Sequence, residues 1–378
     1  MVSTNKNPHV GILCLSKGMG GLELNTIKFA QWLKSRNWDI TLFLIADSPI
    51  AHKAELEDNK ITYAQKDWKY FDFLSAFRLS KKIENEHVDV VLVTNNNDLS
   101  LISIVKSFWN KNLKVIYQQH MNIGIDKKDF LHTLRFNSID AWISPLKQLA
   151  NEVGEKTNYK TDRVHIIPHG IELEKYSQNY ISKADARNFF SIDPEKKIIG
   201  IIGRIDKLKG HHFVINALHF INKKYSADIE LLIVGEPTIE DGTEYVNLLH
   251  SLTKKLGIED KVHFRGFTDK PEMFYKAIDI FIMASANETF GMVTIEAMAS
   301  GVPIVATKAG SNPEILENGK LGLLFPPGNE KIFARKVISS LYIEKVSIRT
   351  KLAREEAVKI YSHISQCEST EKLVRELI

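Results

Sequence analysis

The sequence predicts an α/β protein with two successive doubly wound parallel sheets. Short apolar runs alternate with helix-patterned segments, which is typical of parallel sheets that carry helices on both faces. The alternation starts again in the second half of the chain, and 378 residues are long for a single hydrophobic core. A composition of 44% hydrophobic and 25% charged residues is typical of a globular protein.

In the first unit, apolar runs predict six strands, in chain order at His9–Leu15, Ile40–Ala46, Val88–Thr94, Lys114–Gln118, Ala141–Ser144 and Val164–Ile167. Apolar residues at helical spacing predict helices at Leu22–Ser35, Phe73–Glu84 and Leu99–Trp109. A glycine-rich turn, Gly18–Gly21, separates the first strand from the first helix. We assign residues 1–174 to this unit.

In the second unit, the same pattern predicts strands at Lys197–Ile202, Ile229–Val234, Val262–Phe264, Ile278–Met283, Pro303–Ala306 and Gly322–Phe325. Helices are predicted at His212–Tyr225, Thr243–Leu256, Lys270–Ala277, Thr294–Ala299 and Glu330–Glu344. We assign residues 175–360 to this unit and place the boundary near Leu173–Ser177. The last segment, Tyr361–Ile378, is a separate helix that we expect to pack back on the first unit.

Charge and cysteine content narrow the function classes. The net charge is only +4, whereas nucleic-acid binders usually concentrate basic residues on one face, so no nucleic-acid partner is expected. Cys14 and Cys367 are the only cysteines and lack CxxC spacing, which argues against a disulfide framework and a zinc site. The N-terminus lacks the apolar core of a signal peptide, and no run approaches the roughly 18 apolar residues that cross a bilayer. We therefore expect a cytoplasmic protein.

Two carboxylates, Glu288 and Glu296, stand eight positions apart after a predicted strand. Gly291 lies between them and precedes a predicted helix, whose first N–H groups and positive dipole end suit a diphosphate. Glycine there lets the backbone come close to a ligand. Carboxylates also accept hydrogen bonds from sugar hydroxyls. On spacing alone, however, an ordinary loop carboxylate and an ordinary helix-face residue explain the pair equally well.

Two cations lie between glycines after the predicted strand Lys197–Ile202. The segment Gly203–Gly210 contains Arg204 and Lys209. The arginine guanidinium can donate two parallel hydrogen bonds and the lysine ammonium is a compact charge, and both suit a phosphate anion. Fixed cations stabilise the charge that develops on a leaving diphosphate. The alternative is a solvated loop, which is how we interpret Lys207. No DxD sequence occurs, so a metal-bridged diphosphate is not indicated, and we expect these cations to replace a metal.

The turn at Gly18–Gly21 and the residue His120 belong to the first unit. A dinucleotide-binding GxGxxG motif starting at Gly18 would need glycine at position 23, where the chain has Glu23. A dehydrogenase is therefore disfavoured. Gly20 and Gly21 still allow a ligand to approach the backbone. His120 follows the predicted strand Lys114–Gln118, at the edge where a crevice should open, although a lone histidine is more often structural.

The stretch from Ala286 to Leu316 closely resembles the E-x7-E region of glycosyltransferase family 4. That family comprises retaining enzymes of the GT-B fold, in which two Rossmann-like domains face an interdomain cleft. The resemblance is strong over Gly200–Gly328 and weaker over the first 170 residues. It implies transfer of a sugar, most often from a UDP-sugar, to a hydroxyl acceptor such as a cell-envelope glycan or a lipid-linked saccharide. It implies no cofactor beyond this donor substrate.

The resemblance also implies roles for individual residues. Glu288 would hold the donor sugar and Glu296 the ribose, while Gly203, Arg204 and Lys209 match the element that clamps the diphosphate. Further donor contacts are implied for Gly20, Gly21, His120, Phe267, Phe290, Gly291 and Met292. Of these residues, His120, Arg204, Lys209 and Glu288 are the expected catalytic group, and none is expected to bind a metal.

Three questions stay open in the sequence. A nucleotide-sugar epimerase or phosphorylase of the same fold, or a non-catalytic nucleotide-sugar-binding subunit, would share these motifs. The junction Pro168–Glu172 is interpreted as structural and as a candidate hinge. Cations alternate with large apolar residues at Lys106–Lys111 and Lys127–Leu131, a pattern that either seats a helix at an anionic membrane surface or belongs to an ordinary core-facing helix.

Overall fold

The structure, a computed structural model, describes residues 7–176, 181–237, 242–342 and 346–378. The chain divides into two compact units. Met1–Gly170 and His363–Ile378 form the first unit, and Ile171–Ser362 forms the second. The division falls after residue 170, where the sequence suggested residue 174. Parts of three sequence-based predictions, at residues 1–6, 177 and 343–344, lie outside the described residues.

Seven strands form the first sheet in the order β3-β2-β1-β4-β5-β6-β7, and every pairing is parallel. The strands are β1 (His9–Cys14), β2 (Asp39–Leu44), β3 (Ile61–Tyr63), β4 (Val90–Val93), β5 (Lys114–Gln118), β6 (Ala141–Ser144) and β7 (Val164–Ile166). The helices are α1 (Gly21–Ser35), α2 (Pro49–Leu56), α3 (Phe73–Asn85), α4 (Leu99–Phe108), α5 (Phe130–Asn137), α6 (Lys147–Lys156) and, at the C-terminus, α16 (His363–Leu377).

Six parallel strands form the second sheet in the order β10-β9-β8-β11-β12-β13. The strands are β8 (Lys197–Ile202), β9 (Ile229–Val234), β10 (Val262–Arg265), β11 (Ile280–Met283), β12 (Ile304–Thr307) and β13 (Leu323–Phe325). The helices are α7 (Leu173–Tyr176), α8 (Lys183–Phe189), α9 (His211–Tyr225), α10 (Gly242–Leu256), α11 (Pro271–Ala277), α12 (Met292–Ser300), α13 (Asn312–Ile315), α14 (Glu330–Tyr342) and α15 (Val346–Ile360). Both sheets confirm the predicted doubly wound architecture.

Several strands have the bounds that the sequence predicts, among them β5, β6, β8 and β9. All residues of β4 and β9 are buried, and all but Glu230 are apolar, as expected where helices cover both faces of a sheet. The edge strand β3 is not predicted, because it has only three residues and none of them is buried. Helix α5 is not predicted either; it has only eight residues, and its apolar residues Phe130, Leu131 and Leu134 face solvent. Within the described ranges, no helix combines the length and the apolar character needed to cross a bilayer.

The C-terminal helix α16 is part of the first unit. Its Gln366 side-chain oxygen accepts a hydrogen bond from the backbone N–H of Gly170 at 2.7 Å. The Glu371 carboxylate accepts two hydrogen bonds from the Arg36 guanidinium at the end of α1. Cys367 is buried among the apolar side chains between α16 and the sheet. The last helix therefore completes the core of the unit in which the chain begins.

Candidate functional site

Most of the predicted site residues lie at the carboxyl ends of strands in the second unit. The strand order reverses between β8 and β11, and ligands of doubly wound sheets bind at such a reversal. The loop after β8 carries Arg204 and Lys209, and the loop after β11 carries Glu288 and Gly291. The structure therefore brings the residues of two separate motifs to adjacent strand ends.

An ion pair joins these two loops. Lys209 Nζ lies 2.7 Å from Glu288 Oε2, and the two side chains are 26% and 16% exposed. Asp206 fixes the lysine's backbone, because its carboxylate accepts a hydrogen bond from the Lys209 N–H and so caps the 3-10 helix Lys207–Lys209. A cation held in this way can meet an anion without first being reoriented, which is what stabilisation of a developing charge requires.

Arg204 is placed differently from Lys209. Its side chain is exposed, and it makes no hydrogen bond or ion pair with any residue that the structure describes. Its backbone is held next to the loop after β9, because Ile205 N–H donates to the Glu236 carbonyl at 2.8 Å. The guanidinium is thus presented from an ordered loop with its donors available for an anion.

Gly310 and Ser311, in the loop after β12, support the backbone of Glu288. A Cβ atom at Gly310 would lie 2.4 Å from the Glu288 carbonyl oxygen and 2.6 Å from its nitrogen, and the φ of this glycine is +56°. The Ser311 N–H donates to the same carbonyl at 2.9 Å. The Glu288 carboxylate is therefore positioned by a backbone contact that only glycine permits.

Helix α12 begins immediately after the Glu288 loop. Gly291 is its N-cap residue, with a φ of +75° and no side chain to satisfy the first N–H groups. Phe290 is buried and Met292 is half-buried, so the preceding turn is anchored by its own side chains. A helix N-terminus without a side-chain cap offers N–H donors and a partial positive charge to an anionic ligand.

Glu296, one turn into α12, is held by two tyrosines. The Tyr275 hydroxyl lies 2.9 Å from both Glu296 Oε2 and the Val293 carbonyl oxygen. Burial and the Glu296 carboxylate raise the pKa of Tyr275 and the pKa of Tyr176, so both hydroxyls stay protonated and can donate. These contacts hold the Glu296 carboxylate in place, at the position where the sequence predicts an acceptor for ribose hydroxyls.

Two more predicted positions lie along the same sheet edge. Gly203 is in close contact with Gly235, where a Cβ atom would lie 1.9 Å from the Gly203 carbonyl oxygen. Phe267 follows β10 and is 69% exposed, so its ring offers a free face for stacking. Gly235 thus has a supporting part, as the glycine against which the Gly203 loop packs.

In the first unit, Gly20 and Gly21 lie at the start of α1, beyond the carboxyl end of β1. Gly20 is the N-cap residue and provides no side-chain hydrogen bond. A Cβ atom at Gly21 would meet nothing within 4 Å, so packing inside the chain does not require glycine there. Glu23 accepts a hydrogen bond from the Ser16 hydroxyl and closes the turn. The open space at Gly21 is consistent with a ligand that approaches the backbone.

His120 is one of two stacked histidines. Its ring lies 4.5 Å from the ring of His169, with an angle of 13° between the planes. His120 Nε2 is buried and has no hydrogen-bond partner among the described residues. Burial and the proximity of His169 lower the pKa of His120 well below its ordinary value, so this imidazole is neutral at pH 7. The structure therefore places His120 as a neutral ring whose Nε2 is buried and unpaired among the described residues.

The two glutamines that precede His120 make contacts inside the first unit. Gln118 Nε2 is 3.2 Å from Nδ1 of His169. Gln119 Oε1 accepts hydrogen bonds from Trp142 and from Ser144. These side chains therefore organise the interior around the histidine pair.

Two models of known families match consecutive parts of this chain. The model described as Glycosyltransferase Family 4 matches residues 19–175, and the model described as Glycosyl transferases group 1 matches residues 182–356. The two matches meet close to the division between the structural units and together cover most of the chain. The chain belongs to glycosyltransferase family 4. It is therefore a transferase of the GT-B type, as its fold also indicates.

Individual relatives are more distant. A D-inositol 3-phosphate glycosyltransferase of Corynebacterium urealyticum is 35% identical over 166 residues, which is 43% of this chain and 39% of the relative. An N-acetyl-alpha-D-glucosaminyl L-malate synthase of Bacillus anthracis is 27% identical over 272 residues, which is 71% of this chain and 62% of that protein. The matched segments thus span less than two thirds of either relative.

Solved structures resemble the whole fold of this family 4 glycosyltransferase. A glycosyltransferase from Rickettsia africae superposes with a TM-score of 0.87 at 20% identity, covering 98% of this chain and 99% of the other. Anabaena HepE in complex with UDP superposes with a TM-score of 0.84 at 19% identity, covering 97% and 100%. At such identities the likeness establishes the fold.

Some residues that form the site were not found from the sequence. Gly310, Ser311 and Tyr275 all act by supporting a glutamate that lies 21 or more positions away. Their only signal in the sequence is indirect, because a glycine or a serine after a strand occurs in many loops. The contacts that give these residues a role become visible only in the folded family 4 enzyme.

The stacked histidines predict that the first unit loses stability in mild acid. Burial lowers the pKa of His169 from 6.5 to about 4. Between these values the unfolded chain binds a proton that the folded unit does not, so the free energy of unfolding falls as the pH drops from about 6.5 to about 4. For His169 alone the expected loss is roughly 3 kcal/mol, at about 1.4 kcal/mol per pKa unit.

Tryptophan fluorescence measures this loss selectively, because all five tryptophans of the chain lie in the first unit. Denaturant unfolding between pH 7.5 and pH 5 should show the fall, and His169→Asn should reduce it. The control His52→Asn changes an exposed histidine and should leave the pH dependence as it is. An unchanged free energy of unfolding across this range would contradict the burial argument.

Proposed function

We propose that this enzyme transfers a sugar from a nucleoside diphosphate to a hydroxyl acceptor and retains the anomeric configuration. The observation that carries the proposal is the Lys209–Glu288 ion pair beside the exposed Arg204 and the uncapped start of α12. Together these groups offer two cations and backbone N–H donors to a diphosphate, and a carboxylate to sugar hydroxyls. Phe267 is a stacking surface for the base, and Glu296 is an acceptor for ribose hydroxyls.

The proposed reaction needs no covalent intermediate. The bond between the anomeric carbon and the phosphate oxygen breaks while the acceptor oxygen bonds to that carbon on the same face. The acceptor hydroxyl passes its proton to a phosphate oxygen of the leaving nucleotide. Arg204 and Lys209 stabilise the negative charge on this leaving group, which is the task that fixed cations perform best. His120 keeps the role that the family resemblance implies, a contact with the donor sugar.

The donor nucleotide in our proposal is UDP. Anabaena HepE has been solved with UDP and with UDP-glucose, and it shares the fold of this chain. Two acceptor classes are supported. The family resemblance suggests cell-envelope glycans and lipid-linked saccharides, whereas the relatives named for inositol phosphate and malate suggest small hydroxyl compounds. We propose a cytoplasmic reaction, to which the two buried free thiols are suited.

Arg204→Met is expected to weaken UDP binding at least tenfold, because it removes a bidentate donor from the diphosphate. The effect on uridine binding should be small, since uridine carries no phosphate. Isothermal titration with UDP and uridine measures both, and EDTA in the buffer tests our proposal that no metal is needed.

The matched control is Arg335→Met, which removes an exposed arginine of α14 in the same unit. It should bind UDP like the parent enzyme. Equal UDP affinity in Arg204→Met and the parent would overturn the diphosphate assignment. Conversion of the donor in the absence of any acceptor would instead favour an epimerase.

A further inference from the structure

A group of large apolar side chains on the first unit faces solvent. We call it the aromatic surface, and its main members are Trp68, Phe71, Phe73, Phe108, Phe130 and Leu134. Trp68 is 72% exposed, Phe71 64% and Phe130 78%. Single exposed apolar residues are ordinary, but a contiguous apolar patch usually marks a site of interaction.

Contacts within the unit place the segments of this surface next to one another, because α4 packs against both α3 and α5. The rings of Phe73 at the start of α3 and Phe108 at the end of α4 lie 5.4 Å apart in an edge-on arrangement. The loop that contains Trp68 and Phe71 precedes α3 directly. Lys66 in this loop donates a hydrogen bond to the Asn97 carbonyl oxygen at 2.9 Å, which links the loop to the start of α4. Three separate segments thus contribute to one surface.

The helix α5 shows that this exposure is built into the sequence. Its Phe130, Leu131 and Leu134 face solvent, while its Arg135 is buried. Arg135 lies within hydrogen-bonding distance of Asn96 and Ser100. Burying the cation while exposing the apolar residues reverses the usual amphipathic arrangement of a surface helix.

Lysines and exposed aspartates both border the aromatic surface, with Lys69, Lys127 and Lys128 near Asp67, Asp126 and Asp129 in the sequence. Lys69, Lys127 and Lys128 form no ion pair with any described residue. Burial and the neighbouring charges of Arg135 and Lys69 lower the pKa of Lys127, as expected where positive groups crowd together. Lys106, which the sequence suggested as part of a membrane contact, is unavailable, because it is paired with Asp140. The effective basic residues are therefore those beside the loop at Trp68 and the start of α5.

We propose that the aromatic surface docks this enzyme on an anionic lipid bilayer. Aromatic rings that reach the headgroup level, flanked by lysines, are the features that bind a protein to such an interface. A second copy of the chain fits the surface less well, since a symmetric contact would bring Lys69, Lys127 and Lys128 near their own counterparts. The docking proposal does not depend on the proposed donor or acceptor.

Vesicle sedimentation tests the proposal with the full-length chain. The parent protein should sediment with vesicles of phosphatidylglycerol and phosphatidylcholine and at least tenfold less with phosphatidylcholine alone. The double variant Phe71→Ser/Phe130→Ser and the variant Lys69→Glu/Lys128→Glu should each bind the anionic vesicles at least tenfold more weakly. High salt should weaken binding of the parent protein, because each lysine contributes through screened attraction.

Matched controls distinguish binding by this surface from non-specific binding of the protein to vesicles. Leu56→Ser removes an apolar side chain that is 84% exposed on α2, and Lys28→Glu reverses an exposed cation on α1. Both should bind anionic vesicles like the parent protein. UDP affinity and thermal unfolding should be unchanged in every variant, which distinguishes lost docking from a lost fold or a wrong donor site.

Three results would overturn the proposal. The first is equal binding to phosphatidylcholine vesicles and to anionic vesicles, or no binding to either. The second is an equal loss of binding in Leu56→Ser and in Phe71→Ser/Phe130→Ser. The third is a dimer by light scattering that Phe71→Ser/Phe130→Ser converts to a monomer without any effect on lipid binding, which would make the surface a contact between copies.

Discussion

Lys209→Met is expected to lower kcat/KM for sugar transfer by about 100-fold to 1000-fold, the usual loss when one fixed donor to a developing charge is removed. Glu288→Gln should have an effect of similar size, because the amide keeps the shape but cannot hold the lysine by charge. The two changes act on one ion pair of 2.7 Å, so the double variant should lose much less than the product of the single losses. Steady-state kinetics with UDP-sugar and acceptor measure all three variants.

Lys207→Met is the matched control for this pair. Lys207 lies in the same 3-10 helix but is exposed and has no partner among the described residues. Its kcat/KM should stay within about twofold of the parent value, since a solvated charge contributes little. Full activity in Lys209→Met would contradict the assigned role of Lys209. An equal loss of kcat/KM in Lys207→Met would also contradict it, because the loss would then follow from the net charge of the loop and not from this side chain.

The fold could be predicted in outline because its strands are buried on both faces. Strands β6, β8 and β9 have the predicted bounds, since an apolar run that ends at polar or glycine residues is a local signal. Strand β3 and helix α5 carry no such signal. The first is an edge strand of three residues, and the second is a helix of only eight residues.

The candidate site also has features that the sequence predicts and features that it does not predict. Each of the two motifs could be predicted because it is continuous in sequence and follows a strand. These motifs contain Arg204 and Lys209, and Glu288 and Gly291. The ion pair between Lys209 and Glu288 could not, because it joins loops 79 positions apart. Sheet order decides that these loops are neighbours, and this order is a property of the whole unit.

The stacked histidines show why a local pattern can leave a role undetermined. His169 was interpreted as part of a structural junction, and His120 as a lone histidine at a strand end. Their rings stack only because β5 and the end of the first unit meet, and burial of the pair then sets the protonation of both. The pKa values follow from tertiary burial, about which residue spacing carries no information.

Gly310→Ala is expected to impair the donor site by displacing the backbone of Glu288. Two costs add. A left-handed φ of +56° costs a non-glycine residue about 1–2 kcal/mol, and the Cβ atom would lie 2.4 Å from the Glu288 carbonyl oxygen. Relieving that overlap requires the Glu288 backbone to move, at a further cost of about 1–3 kcal/mol. We expect a lower melting temperature and at least a tenfold loss in kcat/KM, because misplacing a positioning group by about 1 Å costs roughly 100-fold.

Gly257→Ala separates the two costs. Gly257 has a φ of +65°, close to that of Gly310, but a Cβ atom there would meet nothing within 4 Å. This variant should show the backbone strain alone, as a modest fall in melting temperature by calorimetry, with kcat/KM unchanged. If Gly310→Ala lost only as much stability as Gly257→Ala and kept its activity, the close contact at Glu288 would not be what positions this carboxylate. A selective loss of activity in Gly310→Ala would instead show that the loop after β12 holds the glutamate in place.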